Sequence, residues 1–253
     1  MSVAIRNLNK RFFVDGNAIP VLNNINLEVR QGEFITIVGQ SGCGKSTLLK
    51  MIAGLESITE GEILRNGKPV TAPGTDCGMV FQDHRLLPWL RVKRNVGFGL
   101  RCSKAEREHI AAQHLQLVGL SDFANAWPHQ LSGGMAQRAA IARGLATNPA
   151  LLLLDEPFGA LDALTRIQLQ REVLRIWHAS GATMVLVTHD IDEAIFLGER
   201  VVVMSARPGE ISEVIPIPPG VGADRGSLDF ARYKDRILKY FFADEKSREE
   251  YNI

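Results

Sequence analysis

The stretch Gly39-Gln40-Ser41-Gly42-Cys43-Gly44-Lys45-Ser46-Thr47 constrains this chain more than any other. It fits Gly-x-x-x-x-Gly-Lys-Ser/Thr, a pattern with chemical meaning only when a strand precedes it and a helix follows. Both are expected here. Phe34 to Val38 is a short, nearly continuous apolar run and reads as a buried strand. Ser46 to Ala53 reads as a helix. The glycines allow backbone N–H groups to converge on phosphate oxygens, and the helix N-terminus adds partial positive charge. In that arrangement Lys45 reaches the outer phosphates and the Ser46 hydroxyl ligates Mg2+. Cys43 fills space in the loop rather than acting as a redox switch. The competing reading, a glycine-rich turn with a chance lysine, is disfavoured by the flanking elements.

Leu151-Leu152-Leu153-Leu154-Asp155-Glu156 is the second constraint. An apolar strand here ends in two adjacent carboxylates. Downstream of a phosphate loop, Asp155 is expected to hold Mg2+ through water, and Glu156 to act as the general base that polarises an attacking water.

The rest of the chain alternates strand and helix patterns. Val21, Ile25, Leu27 and Val29 are expected on one face of a half-buried strand, with Asn23 the polar exception. Glu62 to Val70 reads as a hairpin around Asn66-Gly67. Gly78 to Gln82 is a short strand. From Pro88 to Asn148 helical periods dominate, as in Ile110, Ala111, His114, Leu115 and Val118. Asp162 to Ala179 and Ile191 to Leu197 read as helices; Thr183 to Val187 and Arg200 to Met204 read as strands. That alternation argues for a mostly parallel sheet with helices on both faces. Glu210 to Ile217 reads as an edge strand stopped by prolines. Phe230, Tyr233, Ile237, Tyr240 and Phe241 recur at helical spacing, as expected of a helix packed on the domain rather than on a membrane surface.

Composition removes several classes. The 29 Lys and Arg nearly balance 28 Asp and Glu, so nothing global calls for a nucleic-acid partner. Three cysteines without metal-like spacing argue against a disulfide framework or a zinc site, and for a reducing compartment. Met1 to Lys10 lacks the apolar centre of a signal peptide, and no apolar run is long enough to span a bilayer. Any membrane role is therefore expected to be that of a peripheral subunit.

Leu131-Ser132-Gly133-Gly134-Met135, followed by Ala136-Gln137-Arg138, carries a family resemblance. With the two stretches above, it makes the chain resemble the ATPase subunits of ABC transporters over at least Val3 to Arg207. The implied fold class is α/β: a P-loop NTPase core with a mostly parallel sheet, an antiparallel β part at the N-terminus and an inserted helical subdomain. The implied organisation is a single ABC ATPase domain over 1–253. Within it, 1–87 and 149–207 form the nucleotide-binding core, 88–148 the helical signature subdomain and 208–253 a short C-terminal extension. The implied cofactors are ATP and Mg2+.

Family roles carry over position by position. Ser132, Gly133, Gly134 and Met135 face the γ-phosphate of ATP held by a second copy of the chain, through N–H donation and the helix dipole. Gln82 matches the glutamine that senses Mg2+ and the attacking water. Asp162, in Ala160-Leu161-Asp162, belongs to a loop that crosses the dimer interface, and His189 contacts the γ-phosphate. Phe12 sits where an aromatic stacks on adenine, although a core role for Phe12, or base stacking by Phe13, fits the pattern too. Met135 departs from the usual glutamine and lacks a strong hydrogen-bonding group. The expected partners are a second copy, integral permease subunits and, indirectly, a solute-binding protein, at the cytoplasmic face of the inner membrane.

Phe81-Gln82-Asp83-His84-Arg85-Leu86-Leu87-Pro88-Trp89, Leu161-Asp162-Ala163-Leu164-Thr165-Arg166 and Ser205-Ala206-Arg207-Pro208-Gly209 are similar to the nitrate/sulfonate/taurine importer branch. That branch implies a small anionic or zwitterionic solute, an alkanesulfonate, taurine or nitrate, with thiamine pyrimidine precursors as a further option. Leu86, Leu87 and Trp89 are expected to line a socket for a short permease helix, with core packing as the alternative. An exporter ATPase and a soluble ABC ATPase of repair or translation remain open; the missing coiled-coil insertion and second cassette weigh against the latter. A kinase or GTPase is disfavoured by the signature stretch and His189.

Overall fold

The computed structural model describes residues 1–159, 161–205 and 207–249, with side chains through residue 241. Ala160 and Ala206, each part of a stretch singled out above, lie outside the described residues, as do 250–253 of the C-terminal extension. In chain order the elements are β1 (Val3–Val14), β2 (Asn17–Val29), β3 (Phe34–Gly39), α1 (Lys45–Ala53), β4 (Glu60–Arg65), β5 (Lys68–Pro69) and β6 (Cys77–Val80). Then follow α2 (Val92–Val96), α3 (Lys104–Leu117), α4 (Gly133–Ala146), β7 (Leu151–Asp155) and α5 (Ala163–Ser180). The chain ends with β8 (Thr183–Thr188), α6 (Ile191–Leu197), β9 (Arg200–Met204), β10 (Ile211–Pro216) and α7 (Leu228–Glu249). No helix among the described residues is long and apolar enough to cross a membrane.

Two compact units emerge, Met1–Pro73 with Thr183–Ile253 and Gly74–Ala182. In the first, β3 runs parallel to both β8 and β9. Every residue of β3 and β8 is buried, as expected of strands covered on both faces. The edge strand β10 closes that side antiparallel to β9. α7 covers it: Phe230 and Ile237 are fully buried against Val38, Ala194, Val201 and Ile215, with Tyr233, Tyr240 and Phe241 packed alongside. The aromatic repeat of the tail thus packs a helix on the domain, with Phe230 and Ile237 in the core and the other three at its margin.

The antiparallel part orders β2-β1-β4-β5. Asn66 and Gly67 both take positive φ, 47° and 75°, as the two central residues of a tight hairpin between β4 and β5 must. Regular alternation on β2 does not hold. Asn7 and Asn24 occupy the left-handed region at φ 45° and 46°. Their backbone N–H groups donate to the side chains of Asn26 and Asn9, each at 2.9 Å. These paired asparagines pin irregularities in the β1–β2 register, and each bulge advances the phase by one residue. Leu22 therefore enters the core, and Val21, expected there, is only half-buried.

In the second unit β6 and β7 are parallel, and its other regular elements among the described residues are helices. The periodic positions Ala111, Leu115 and Val118 are buried. α3 starts at a reciprocal cap, in which Glu106 N–H donates to Ser103 Oγ at 3.3 Å and Ser103 N–H donates to Glu106 Oε2 at 3.0 Å.

Candidate functional site

Strand register places the chemistry. In the first unit Val38 pairs with Thr188 and Gly39 with Met204. The glycine-rich loop, His189 and the segment after Met204 therefore all leave the same C-terminal edge of three neighbouring parallel strands, where α/β sheets bind ligands. Gly42 and Gly44 take φ of 77° and 96°, open to few other residues, and Gly44 is the N-cap of α1. Lys45 is 5% exposed; its ammonium donates to the carbonyls of Gly39 at 2.7 Å and Gln40 at 3.0 Å. Ser46 and Thr47 follow in the first turn, with their N–H groups at the positive end of the helix.

Cys43 is buried inside the loop, 3.8 Å from the Lys45 ammonium. A Cβ on Gly39 would lie 2.6 Å from its sulfur, so the thiol fills the space that the glycine leaves. Burial pushes the thiol above its ordinary pKa, and nearby Lys45 opposes this. His189 is exposed, between the end of β8 and Asp190, which caps α6 by accepting from Glu193 N–H at 3.1 Å. Phe12 and Phe13 are 37% and 72% exposed, so neither is the core phenylalanine that the sequence left open.

In the second unit the same register logic works again. Val80 pairs with Leu154, so Gln82 and Glu156, each two residues further on, emerge together. A Cβ on Gly159 would lie 3.7 Å from Gln82 Nε2 and 4.0 Å from Glu156 Oε2, which puts both side chains around one point. Asp155 ends β7 at 7% exposure. Glu156 itself takes φ 44°, a left-handed conformation that turns its side chain out of the strand's alternation. Its carbonyl accepts from Gly159 N–H at 3.2 Å, closing the turn.

Ser132 is the N-cap of α4, accepting from Met135 N–H at 3.3 Å. The methionine enters this cap through its backbone, so the Ser132 half of the cap is kept, while the reciprocal bond that a glutamine at this position could make to the Ser132 N–H is not available to it. Gly134 is buried, and a Cβ there would lie 2.6 Å from Thr165 Cγ2. Asp162 is the N-cap of α5, accepting from Thr165 N–H at 3.0 Å. The Thr165 hydroxyl and N–H hold the Asp162 carboxyl below its ordinary pKa.

Two sets of contacts escaped sequence reasoning. The irregular stretch after β6 is anchored by distant side chains: Gln137 donates to Phe81 O at 3.3 Å, and Arg143 to Arg85 O at 2.7 Å and His84 O at 3.0 Å. Buried Asn95 donates to Leu87 O and Leu90 O and accepts from Leu87 N–H. Of the expected socket residues, Leu86 is buried at 6% and belongs to the core, whereas Trp89 is 68% exposed. The second set joins Arg207 to the phosphate loop, where its Nε donates to Gly42 O at 3.2 Å. No local periodicity announces either set.

The family model described as ABC transporter matches residues 22–159, which spans the glycine-rich loop, the Ser132 stretch and the Asp155–Glu156 pair. This chain belongs to the ABC transporter family. As an ABC ATP-binding subunit it binds ATP and couples its hydrolysis to transport. An uncharacterised ABC transporter ATP-binding protein of Methanocaldococcus jannaschii is 50% identical over 241 residues, 94% of this chain and 90% of the relative. The aliphatic sulfonates import ATP-binding protein of Bacillus subtilis is 46% identical over 241 residues, 95% and 94% of the two chains. A solved dimeric ATP-binding cassette in a post-hydrolysis state with ADP and phosphate has 36% identity and a TM-score of 0.75, covering 85% of this chain and 99% of that one. The ABC subunit thus has the α/β P-loop fold that its motifs imply.

Proposed function

We propose that this ABC subunit powers uptake of a small anionic or zwitterionic solute, an aliphatic sulfonate, taurine or nitrate-like anion, across the inner membrane. The observation that carries the solute class is the 45–46% identity with aliphatic sulfonate import subunits along 95% of the chain. Two copies act together on integral permease subunits at the cytoplasmic face, with a solute-binding protein delivering the cargo. The dimeric cassettes at TM-score 0.75 support the pairing.

The chemistry is phosphoryl transfer to water by positioning and electrostatics. Residues Gly39 to Thr47 cradle the phosphates, and Lys45 exchanges its bonds to Gly39 and Gln40 for the outer phosphate oxygens. Ser46, Gln82 and Asp155 offer hydroxyl, amide and carboxylate oxygens, the hard donors that fit Mg2+. That ion would neutralise charge on the phosphate oxygens. Glu156 takes the proton of the attacking water, Gln82 orients it, and His189 donates to the γ-phosphate. Ser132, Gly133, Gly134, Met135 and Asp162 of each copy complete the site of the other, so closure of the pair requires nucleotide. ATP binding to the closed state is what drives the permease.

The test is capture of the tagged subunit from native membranes in mild detergent, followed by solute uptake in cells with and without the gene. Co-purification of a polytopic membrane protein and loss of sulfonate, taurine or nitrate uptake support the proposal. Capture of a folded, ATP-binding subunit with no integral protein overturns it.

A further inference from the structure

We infer that Lys10 is a positioning residue of the nucleotide site: its buried ammonium lies over one face of the Phe12 ring and prepares the other face to stack on adenine. This rests on the reading of Phe12 as the base platform.

Lys10 and Phe12 lie two residues apart on β1, and the approach of the ammonium to the ring puts their side chains together. Lys10 is 4% exposed, an unusual place for an ammonium. It is held by three acceptors, Glu56 Oε1 at 2.7 Å, Ser57 O at 2.7 Å and Ser57 Oγ at 3.1 Å. The Lys10 hydrogen bond holds the Glu56 carboxyl below its ordinary pKa, which keeps the anchor ionised. The ammonium stands 4.6 Å from the centroid of the Phe12 ring, within reach of its π electrons.

The ring is nevertheless 37% exposed. The ammonium occupies one face of the ring, which leaves the opposite face as the one a base can stack on. A cation on one face draws π density toward itself and leaves the opposite face less negative. That weakens the repulsion which disfavours face-to-face contact with another aromatic system. An anchored ring also loses less freedom when a base docks on it. Glu56 and Ser57 come just after α1, beyond Gly54 and Leu55, and the first residue of that helix is Lys45 of the phosphate loop. Lys10 thus ties the base platform to the helix that begins at the phosphates, and so sets the span between the two ends of the nucleotide.

The experiment measures binding of ATP and of inorganic tripolyphosphate, which has no base, to the full-length chain and to Lys10→Met, Phe12→Leu and the double variant. Phe12→Leu weakens ATP binding if the platform reading holds. Lys10→Met is expected to weaken ATP about fivefold while leaving tripolyphosphate within about twofold, and to add nothing in the Phe12→Leu background. Unchanged ATP binding in Phe12→Leu sinks the platform itself. A normal effect of Phe12→Leu, with Lys10→Met equally harmful in both backgrounds or equally harmful to both ligands, overturns the role of Lys10 alone. Should Lys10→Met not fold, Glu56→Gln loosens the ammonium without burying an unpaired carboxylate. It must then weaken ATP only where Phe12 is present.

Discussion

Replacing Gly134 by alanine tests how tightly α4 is seated on α5. A Cβ at 134 would lie 2.6 Å from Thr165 Cγ2, about an ångström inside normal carbon–carbon contact. Thr165 cannot simply rotate its methyl away, because its hydroxyl and N–H both serve the Asp162 carboxylate. Overpacking of this kind costs about 1–3 kcal/mol. Alanine in place of glycine in a helix returns up to about 1 kcal/mol. The net loss expected for Gly134→Ala is therefore about 1–2 kcal/mol, or about 2–8 °C in melting temperature for a chain of this size. Thr165→Ser removes the clashing methyl, keeps the hydroxyl, and should restore most of that loss in the double variant. Urea and thermal unfolding without nucleotide supply the measurement, so that ligand linkage does not mask the difference. Gly134→Ala at wild-type stability, or a Thr165→Ser partner that rescues nothing, would refute the packing account. ATPase activity of the rescued double variant then reports separately on the phosphate-facing role of the turn.

Glu156→Gln should retain ATP affinity yet lose about 10²–10⁴-fold in steady-state hydrolysis, as for removal of a general base; near wild-type turnover removes Glu156 from that role. The same variant should form a dimer at saturating Mg-ATP, checked by light scattering, and a persistent monomer counts against the exchange of Ser132 stretches between isolated copies. The Asp162 carboxyl is depressed in the folded state, so its stabilisation is complete above the unfolded value near 3.8 and disappears as pH falls through the folded value. Asp162→Ala should consequently be less stable than wild type at neutral pH and equal to it in strong acid, by urea unfolding across pH. Leu22→Ala should cost about 3 kcal/mol and Val21→Ala about 1 kcal/mol; the reverse order would contradict the bulged register.

Much of the candidate site was legible because its parts are local. A strand, a turn of fixed residue types and a helix N-terminus lie within nine consecutive residues at Gly39 to Thr47, and Asp155-Glu156 terminates its own strand. The offsets Val80 to Gln82 and Leu154 to Glu156 match because the strands are in register, which sequence patterning supports but does not state. Illegible features depend on contacts between distant residues. The swap of Leu22 for Val21 follows from asparagines at 7, 9, 24 and 26 that bond across two strands. Arg207 reaches Gly42 across 165 residues of chain. Leu86 and Trp89 both offer apolar side chains, yet on a segment anchored by Asn95 and Arg143 one turns inward and the other out.

That anchoring has an evolutionary corollary. The backbone between Phe81 and Leu90 is held largely by Gln137, Arg143 and Asn95, all rooted in helices, with the His84 ring accepting from Leu86 N–H as an internal brace. Shape and lettering are thus kept by different residues. Substitutions at exposed positions such as Asp83 and Trp89 rewrite the surface while the loop beneath keeps its course. A lineage is then free to retune that surface for a new companion one residue at a time, without passing through an unfolded intermediate sequence.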